Sequence, residues 1–478
     1  MLNYQFPTFD FSAPIEFVKR MEKPETKNHE YRSMFMRDRD RVMYSGSFRR
    51  LSGKTQIYLT GTDDNKRNRL THTLEVSQIA RTISRALGLD CDLTEAIALA
   101  HDLGHTPFGH AGEQILHEIM VPNSQINIKD SPFSNPKLMD GAEIKNNLFG
   151  FKHNVQSVRV AATIENNYGE YGLNLTNYTL WGILHHSSVE YKPGRVNTQY
   201  LDPNYKNQYS PYYCLKDHPN SEAWSFEAFV VSEADEIAQW HHDMEDALRG
   251  GAMSGADVCR TIQRNLKEIM SPEDLKSLER LKARKYIDKK YSTDLSRIVV
   301  NTLVNHLIEC SLYNLNQLWE QVGDAAHKNQ FFLQHKWTDN EIKSAIKLKK
   351  IGSDKRLNFE TDYPSVISEK IHHSKEVERM NAKGQYVIRK LFQAYYTHPQ
   401  QLPDSIISQY MVDAHQYANL MNAEKVGMGA VREKFEKFRS SQTSFGLADQ
   451  ILLMRKICDH IAGMTDHYAI EEYNSLYG

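Results

Sequence analysis

THTLEVSQIARTISRALGLD, residues 71–90, sets Leu74, Ile79, Ala80, Ile83, Ala86 and Leu87 at three- and four-residue steps and closes on Gly88. That period describes a helix with one apolar face, and the glycine is its stop. AIALAHDLG (96–104) follows, with Asp92 and Glu95 as a capping-box-like pair ahead of it. His101 and Asp102 are therefore expected on the last turn of a short buried helix that ends at Gly104. GHAGEQILHEIM (109–120) reads as a further helix start, and a long helix is predicted from Ser225, its N-cap, to Arg249, with Gly250-Gly251 beyond it. Helical patterning continues over 255–478, broken near Pro272, at 351–364 and at 398–403. A strand pair is expected only near Thr55–Leu59, so the fold class is all-α.

The 478 residues suffice for a large core, and 40% hydrophobic with 25% charged residues is ordinary for a globular chain. A net charge of -2 excludes a globally basic nucleic-acid coat protein. Cys91, Cys214, Cys259, Cys310 and Cys458 are odd in number and form no CxxC, which indicates neither a zinc ribbon nor a disulfide framework and fits a reducing cytoplasm. The start lacks a basic segment followed by an apolar run, and no stretch approaches the roughly 18 apolar residues of a membrane span. Neither secretion nor membrane insertion is expected.

His72, the His101-Asp102 pair and Asp235 carry the chemistry. A lone histidine at a helix start is more often structural than a ligand. Here, however, His101 and Asp102 interrupt an apolar run, where a metal would offset the cost of burying them. At roughly 100° per residue, Asp235, Gln239, His242, Asp243 and Asp246 share one face of the 226–249 helix. A solvated face would account for such a stripe, but the apolar FVVSEA before it argues that Asp235 is buried and supplies a fourth ligand. Mixed imidazole and carboxylate donors favour Mn, Fe, Co, Ni or Zn over an all-oxygen metal.

YRSMFMRDRDRVMYSGSFRRLSGKTQIY (31–58), RNRLTHTLEVSQIAR (67–81), AHDLGHTPFGHAGE (100–113), FKHNVQSVRV (151–160), EADEIAQWHHDMEDAL (233–248) and DHIAGMTDHYA (459–469) occur in this order. Together they resemble the deoxyguanosinetriphosphate triphosphohydrolase family of HD-domain enzymes. The resemblance implies a helical HD core at 61–250, with a long loop or lid at 190–224, an N-terminal arm and pocket segment at 1–60, and additional C-terminal helices at 251–478. It implies hydrolysis of dGTP, or other dNTPs, to deoxynucleoside and inorganic triphosphate. Mn2+ is the foremost cofactor, with Mg2+, Co2+, Ni2+ or Fe2+ as alternatives.

By the same resemblance, His72, His101, Asp102 and Asp235 are the metal ligands and His110 with Glu113 is the catalytic pair. The i,i+3 spacing would let Glu113 orient His110 as general acid toward the leaving 5′ oxygen, with a nucleophilic His110 as the alternative. Arg69, Lys54, Arg49, His105, His153 and His186 are candidate phosphate contacts. Gln56 is implied at the deoxyribose 3′-hydroxyl and Asp243 at the sugar. Gln239 stands where relatives commonly carry tyrosine, so a steric gate against ribonucleotides would fall to Tyr191, His186 or another tyrosine. Arg32, Arg37, Arg39 and Arg41 fit a solvated loop or subunit-interface salt bridges. A homo-oligomer, with hexamers common among such enzymes, and a dNTP or single-stranded DNA effector are further implications.

Two other readings stand. One is an HD phosphohydrolase acting on another nucleotide. The second is a nucleic-acid-binding regulator with a vestigial site, using the basic run KSLERLKARKYIDKK (276–290) on phosphates. His372-His373 could be structural or contact phosphate.

Overall fold

The computed structural model describes residues 7, 10–22, 31–56, 67–121, 126, 128–134, 150–168, 171–187, 224–284, 289–322, 338–351, 362–363, 365–366, 370, 374–414, 427–441 and 445–478. Helices α1 (Met34–Met43), α2 (Gly46–Arg50), α3 (Arg69–Leu87), α4 (Cys91–Ala100), α5 (Gly109–Ile119), α6 (His153–Arg159), α7 (Asn177–His185) and α8 (Phe226–Arg249) come first. They are followed by α9 (Gly255–Leu266), α10 (Pro272–Lys282), α11 (Lys289–Val322), α12 (Asp339–Ala345), α13 (Lys375–Thr397), α14 (Asp404–Asp413), α15 (Met428–Arg439), α16 (Leu447–Ala462) and α17 (Asp466–Tyr477). The fold is all-α. Among the described residues, the expected strand pair reduces to one antiparallel bridge between Thr55 and Asn68. The 190–224 loop, apart from Trp224, lies outside the described residues, as do Tyr191 and His372-His373.

Helix α3 starts where the Asn68 side chain accepts from the Thr71 amide at 3.0 Å, and it stops at Gly88, whose φ of 70° suits glycine. Val76, Ile79, Ala80, Ile83 and Leu87 face the core, whereas Leu74 is 48% exposed, contrary to its place in the predicted apolar stripe. The cap of α4 also differs from expectation. Asp90, not the Asp92/Glu95 pair, accepts from the amides of Asp92 and Leu93 at 2.8 and 2.9 Å. Glu95 instead pairs with Arg39 and Arg81. Because α4 ends at Ala100, His101 and Asp102 occupy the turn just beyond it. Gly104 serves a close approach rather than a helix stop: a Cβ there would lie 2.2 Å from the Ser157 amide nitrogen and 2.5 Å from the His153 carbonyl. Only glycine lets α6 press His153 against this turn. Helix α8 begins at Ser225, whose hydroxyl accepts from the Ala228 amide at 3.2 Å, and it runs to Arg249 as predicted.

Three apolar clusters hold these helices. The first joins α3, α4 and α8 to α9–α12 and receives Phe11 from the N-terminal arm; the second joins α5 to α13–α17; the third fills the space among α1, α2, α4, α6 and α7. The expected metal ligands ride on the first cluster and the expected catalytic pair, His110 and Glu113, on the second. Two arginines of α1 find partners within the chain, Arg39 on Asp40 and Arg41 on the carbonyls of Leu173 and Asn174. No helix among the described residues is long and apolar enough to cross a membrane.

Candidate metal centre and adjoining nucleotide pocket

Helix α3 presents His72, the turn after α4 presents His101 and Asp102, and α8 presents Asp235. One ligand atom each from His72, His101 and Asp235 lies within 4.8 Å of the others. His72 Nε2 is 2.9 Å from Asp235 Oδ1, and His101 Nε2 is 3.4 Å from Asp102 Oδ1 and 3.9 Å from Asp235 Oδ1. His101 Nδ1 donates to the Ala98 carbonyl at 2.6 Å, which leaves a lone pair on Nε2 facing two carboxylates. That arrangement is repulsive until a cation sits among the groups, so the donor set fits a divalent metal. Burial pushes the Asp102 carboxyl up, but His101, His105 and Arg69 outweigh it and hold it well below its ordinary value. Asp235 is partly exposed rather than buried, its side chain 32% accessible, because it opens onto the site instead of the α8 core.

The metal-facing orientation of His72 has a chemical cause. His242 Nε2 donates to the Glu75 carboxylate, so its Nδ1 is an acceptor, and that atom lies 3.2 Å from His72 Nδ1. His72 therefore carries its hydrogen on Nδ1 and keeps the Nε2 lone pair for the metal side. Arg67 and His241 also reach Glu75, at 3.4 and 3.3 Å. Burial raises the Glu75 carboxyl, but its hydrogen bonds to His241 and His242 and the charge of Arg67 outweigh that and keep it below its ordinary value. Sequence reading placed His242 on the polar face of its helix without a role and missed Glu75; the spacing of Glu75 from His72, one turn, was the available signal.

Beyond Asp102 stands a cluster of imidazoles beside the Arg69 guanidinium. Arg69 Nη1 binds Asp102 Oδ2 at 2.8 Å and His105 Nε2 lies 3.1 Å from Asp102 Oδ1. The His105 ring stacks on His153 at 4.1 Å, and His186 lies 5.7 Å from His153 and 5.0 Å from His101. His186 Nδ1 donates to the Ile183 carbonyl, and burial lowers its pKa to about 3. His101 Nε2, His105 Nδ1, His186 Nε2 and Arg69 Nε are buried and make no hydrogen bond among the described residues. Each such group costs about 1–3 kcal/mol without a partner.

Glu113 differs from expectation. Its Oε2 lies 3.0 Å from His153 Nδ1 but 3.8 Å from His110 Nδ1, and the His110 side chain is 78% exposed. Residue 110 lies on the first turn of α5 and projects outward, whereas Glu113 turns inward to meet α6. Burial raises the Glu113 carboxyl, but His153 and His110 hold it well below its ordinary value.

On the other side, Gln56 Nε2 donates to Gln239 Oε1 at 2.8 Å, and Gln239 Nε2 donates to Asp243 Oδ1 at 2.5 Å. Gln56 Oε1 is buried and makes no hydrogen bond among the described residues. Burial and Asp246 raise the Asp243 carboxyl well above its ordinary value. Lys54 is not brought to this wall: it is buried, and its Nζ donates to the carbonyls of His105 and Ala462. Burial, with Arg50 and Arg69 nearby, lowers it to about 7. Arg49 is exposed and donates to the Tyr44 carbonyl. Other residues of the 151–160 block are structural ties, Asn154 to the carbonyls of Leu184 and Ser187, and Gln156 and Arg159 to Asp459.

Histidines and aspartates gathered on helices of an all-α fold define an HD-type phosphohydrolase, and the HD domain family matches residues 69–281, with the phosphohydrolase-associated domain family matching 365–421 and 439–475. The chain is 31% identical to a deoxyguanosinetriphosphate triphosphohydrolase-like protein of Rhizobium etli (strain CIAT 652), over 93% of this chain and 89% of that one. Similar proteins of Bartonella quintana (strain Toulouse) and Bordetella pertussis (strain Tohama I) are 32% and 31% identical, over 93% and 96% of this chain and 90% and 93% of theirs. This chain belongs to the deoxyguanosinetriphosphate triphosphohydrolase-like family of HD-domain hydrolases.

Proposed function

We propose that this enzyme cleaves dGTP, and other dNTPs to a degree set by its pocket, into deoxynucleoside and inorganic triphosphate. The single observation that carries this reading is the gathering of His72, His101 and Asp235 within ligand reach of one another, with Asp102 and the Arg69 guanidinium beside them. On the other side stands the Gln56–Gln239–Asp243 row. A divalent cation with Arg69 suits a polyphosphate, and the Gln56 Oε1, which makes no hydrogen bond among the described residues, suits a sugar hydroxyl.

His72, His101, Asp102 and Asp235 would hold the metal, with Mn2+ proposed, which when bound supplies Lewis acidity at the α-phosphate. Arg69 balances charge on the phosphoryl oxygens. Water adds to the α-phosphorus, the bond from phosphorus to the 5′ oxygen breaks, and protonated His110 gives that oxygen its proton; the proton released by the added water, passed through solvent, restores His110. Glu113 orients His153 through its hydrogen bond and offers its charge to His110 at 3.8 Å. In this reading 1–60 is the arm and pocket segment, 61–250 the catalytic core and 251–478 the packed C-terminal helices. The enzyme works in a reducing cytoplasm as a homo-oligomer, a hexamer by resemblance, and a dNTP or single-stranded DNA acts as effector.

The test is purified protein with Mn2+, offered each dNTP singly and in pairs, with chromatography of the products. Intact triphosphate supports the reading. Orthophosphate or pyrophosphate would replace it with an HD phosphohydrolase of another specificity.

A further inference from the structure

The sequence block DHIAGMTDHYA belongs to the phosphohydrolase-associated segment, far from the metal residues in the chain, yet it reaches the site. Asp466, on the first turn of α17, is 1% exposed. An acid at that position usually serves its own helix or faces solvent. Here both carboxylate oxygens reach other segments: Oδ1 accepts from the Phe108 amide at 2.9 Å, and Oδ2 accepts from the Thr55 amide at 2.9 Å and from the Thr55 hydroxyl.

The two segments so joined matter for different reasons. Thr55 immediately precedes Gln56. Phe108 has a φ of 61°, costly for a residue with a side chain, and is followed by Gly109 at 59°; together they open α5, which carries His110 and Glu113. Phe108 caps α5 without a side-chain bond of its own. The neighbours repeat the pattern. Lys54 Nζ ties the Ala462 carbonyl to that of His105, and Gly53 packs so closely on Thr465 that a Cβ would lie 2.7 Å from its methyl carbon.

We infer that Asp466 is a positioning residue for the reaction, setting the sugar-side residue Gln56 and the catalytic turn 105–113 in register with each other. The metal residues on α8 and in the turn after α4 make no bond to it, and α3 meets its partner Thr55 only at the N-cap, through the Thr55–Asn68 bridge. The inference rests on the proposed activity only for its kinetic readout.

The experiment compares wild type, D466N, D466A and T55V in the full chain, measuring dGTP hydrolysis, Mn2+ affinity by calorimetry and hydrogen exchange by peptide. D466N keeps one acceptor and D466A none, so kcat is expected to fall about tenfold and about a hundredfold, with Mn2+ affinity within twofold of wild type. T55V, which keeps the fold and removes only the hydroxyl contact, is expected to lower kcat several-fold. Exchange should speed up at 53–56 and 105–113 and stay unchanged in α8 and in α3 beyond its first turn. A folded D466N or T55V with wild-type kcat and wild-type exchange at 105–113 would overturn the inference, as would equal acceleration of exchange in α3 and α8. If wild type itself releases no triphosphate, the proposed activity fails, and the exchange pattern alone decides the positioning role.

Discussion

Replacing His242 by phenylalanine tests whether metal affinity is set by a residue that does not face the metal. The ring volume is kept, but the 3.2 Å contact to His72 Nδ1 and the bond to Glu75 are lost. His72 is then free to carry its hydrogen on either nitrogen and to rotate. Loss of such an orienting partner weakens metal binding by about 10–100-fold, or about 1.4–2.8 kcal/mol. Glu75→Gln is milder, because it keeps an acceptor for His242 and removes only the charge. A charged acceptor adds about 1 kcal/mol over a neutral one, so roughly fivefold weaker binding is expected. The assay is calorimetric titration of chelator-treated protein with Mn2+, with circular dichroism to verify the helical fold. His242→Phe binding Mn2+ within twofold of wild type would refute the orientation argument, whatever the activity.

The catalytic and metal roles separate in a second pair: Asp102→Ala should abolish both Mn2+ binding and hydrolysis, whereas His110→Ala should keep the metal and lose about 10²–10⁴-fold in kcat. Equal loss of metal in both would overturn the assigned roles. Glu227 gives a pH prediction. Its carboxylate accepts from the amides of Ala13 and Asp90 and from the Ser225 hydroxyl, and burial, with Asp90, pushes it up to about 7. A raised carboxyl binds its proton more tightly in the folded state, so its contribution is full below the unfolded value and is lost as pH rises through about 7. Glu227→Gln should gain up to about 3 kcal/mol over wild type between pH 5 and pH 8, seen as a higher melting temperature at the upper pH; a pH-independent difference would sink the idea.

What could be read from the sequence was mostly local. The apolar period and Gly88 mark α3, and Ser225 marks α8, because caps and amphipathic faces are written within a few residues of where they act. His101 and Asp102 stood out for a related reason, since polar residues interrupting an apolar run advertise their cost, and the structure brings His101 within ligand reach of His72 and Asp235. Pairings across the chain were not legible. The family resemblance pairs Glu113 with His110, but its nearer partner is His153, 40 positions away. The resemblance places Lys54 in the nucleotide pocket, yet it lies under the 105–113 turn, where carbonyls 51 and 408 positions away receive it. Asp92 and Glu95 matched a capping pattern that Asp90 pre-empts through its own side chain. Periodicity locates a face but does not say which other segment covers it.

The bond from Thr55 to Asp466 closes 411 residues of chain. Loop-closure entropy grows only logarithmically with length, so the penalty in equilibrium stability is modest, but long-range contacts are slow to form. The proposed metal ligands all lie within 69–249, whereas the turn bearing the proposed proton donor is tied to the last helix. A chain shortened before α17 would therefore keep every proposed metal ligand and lose the carboxylate that fixes that turn.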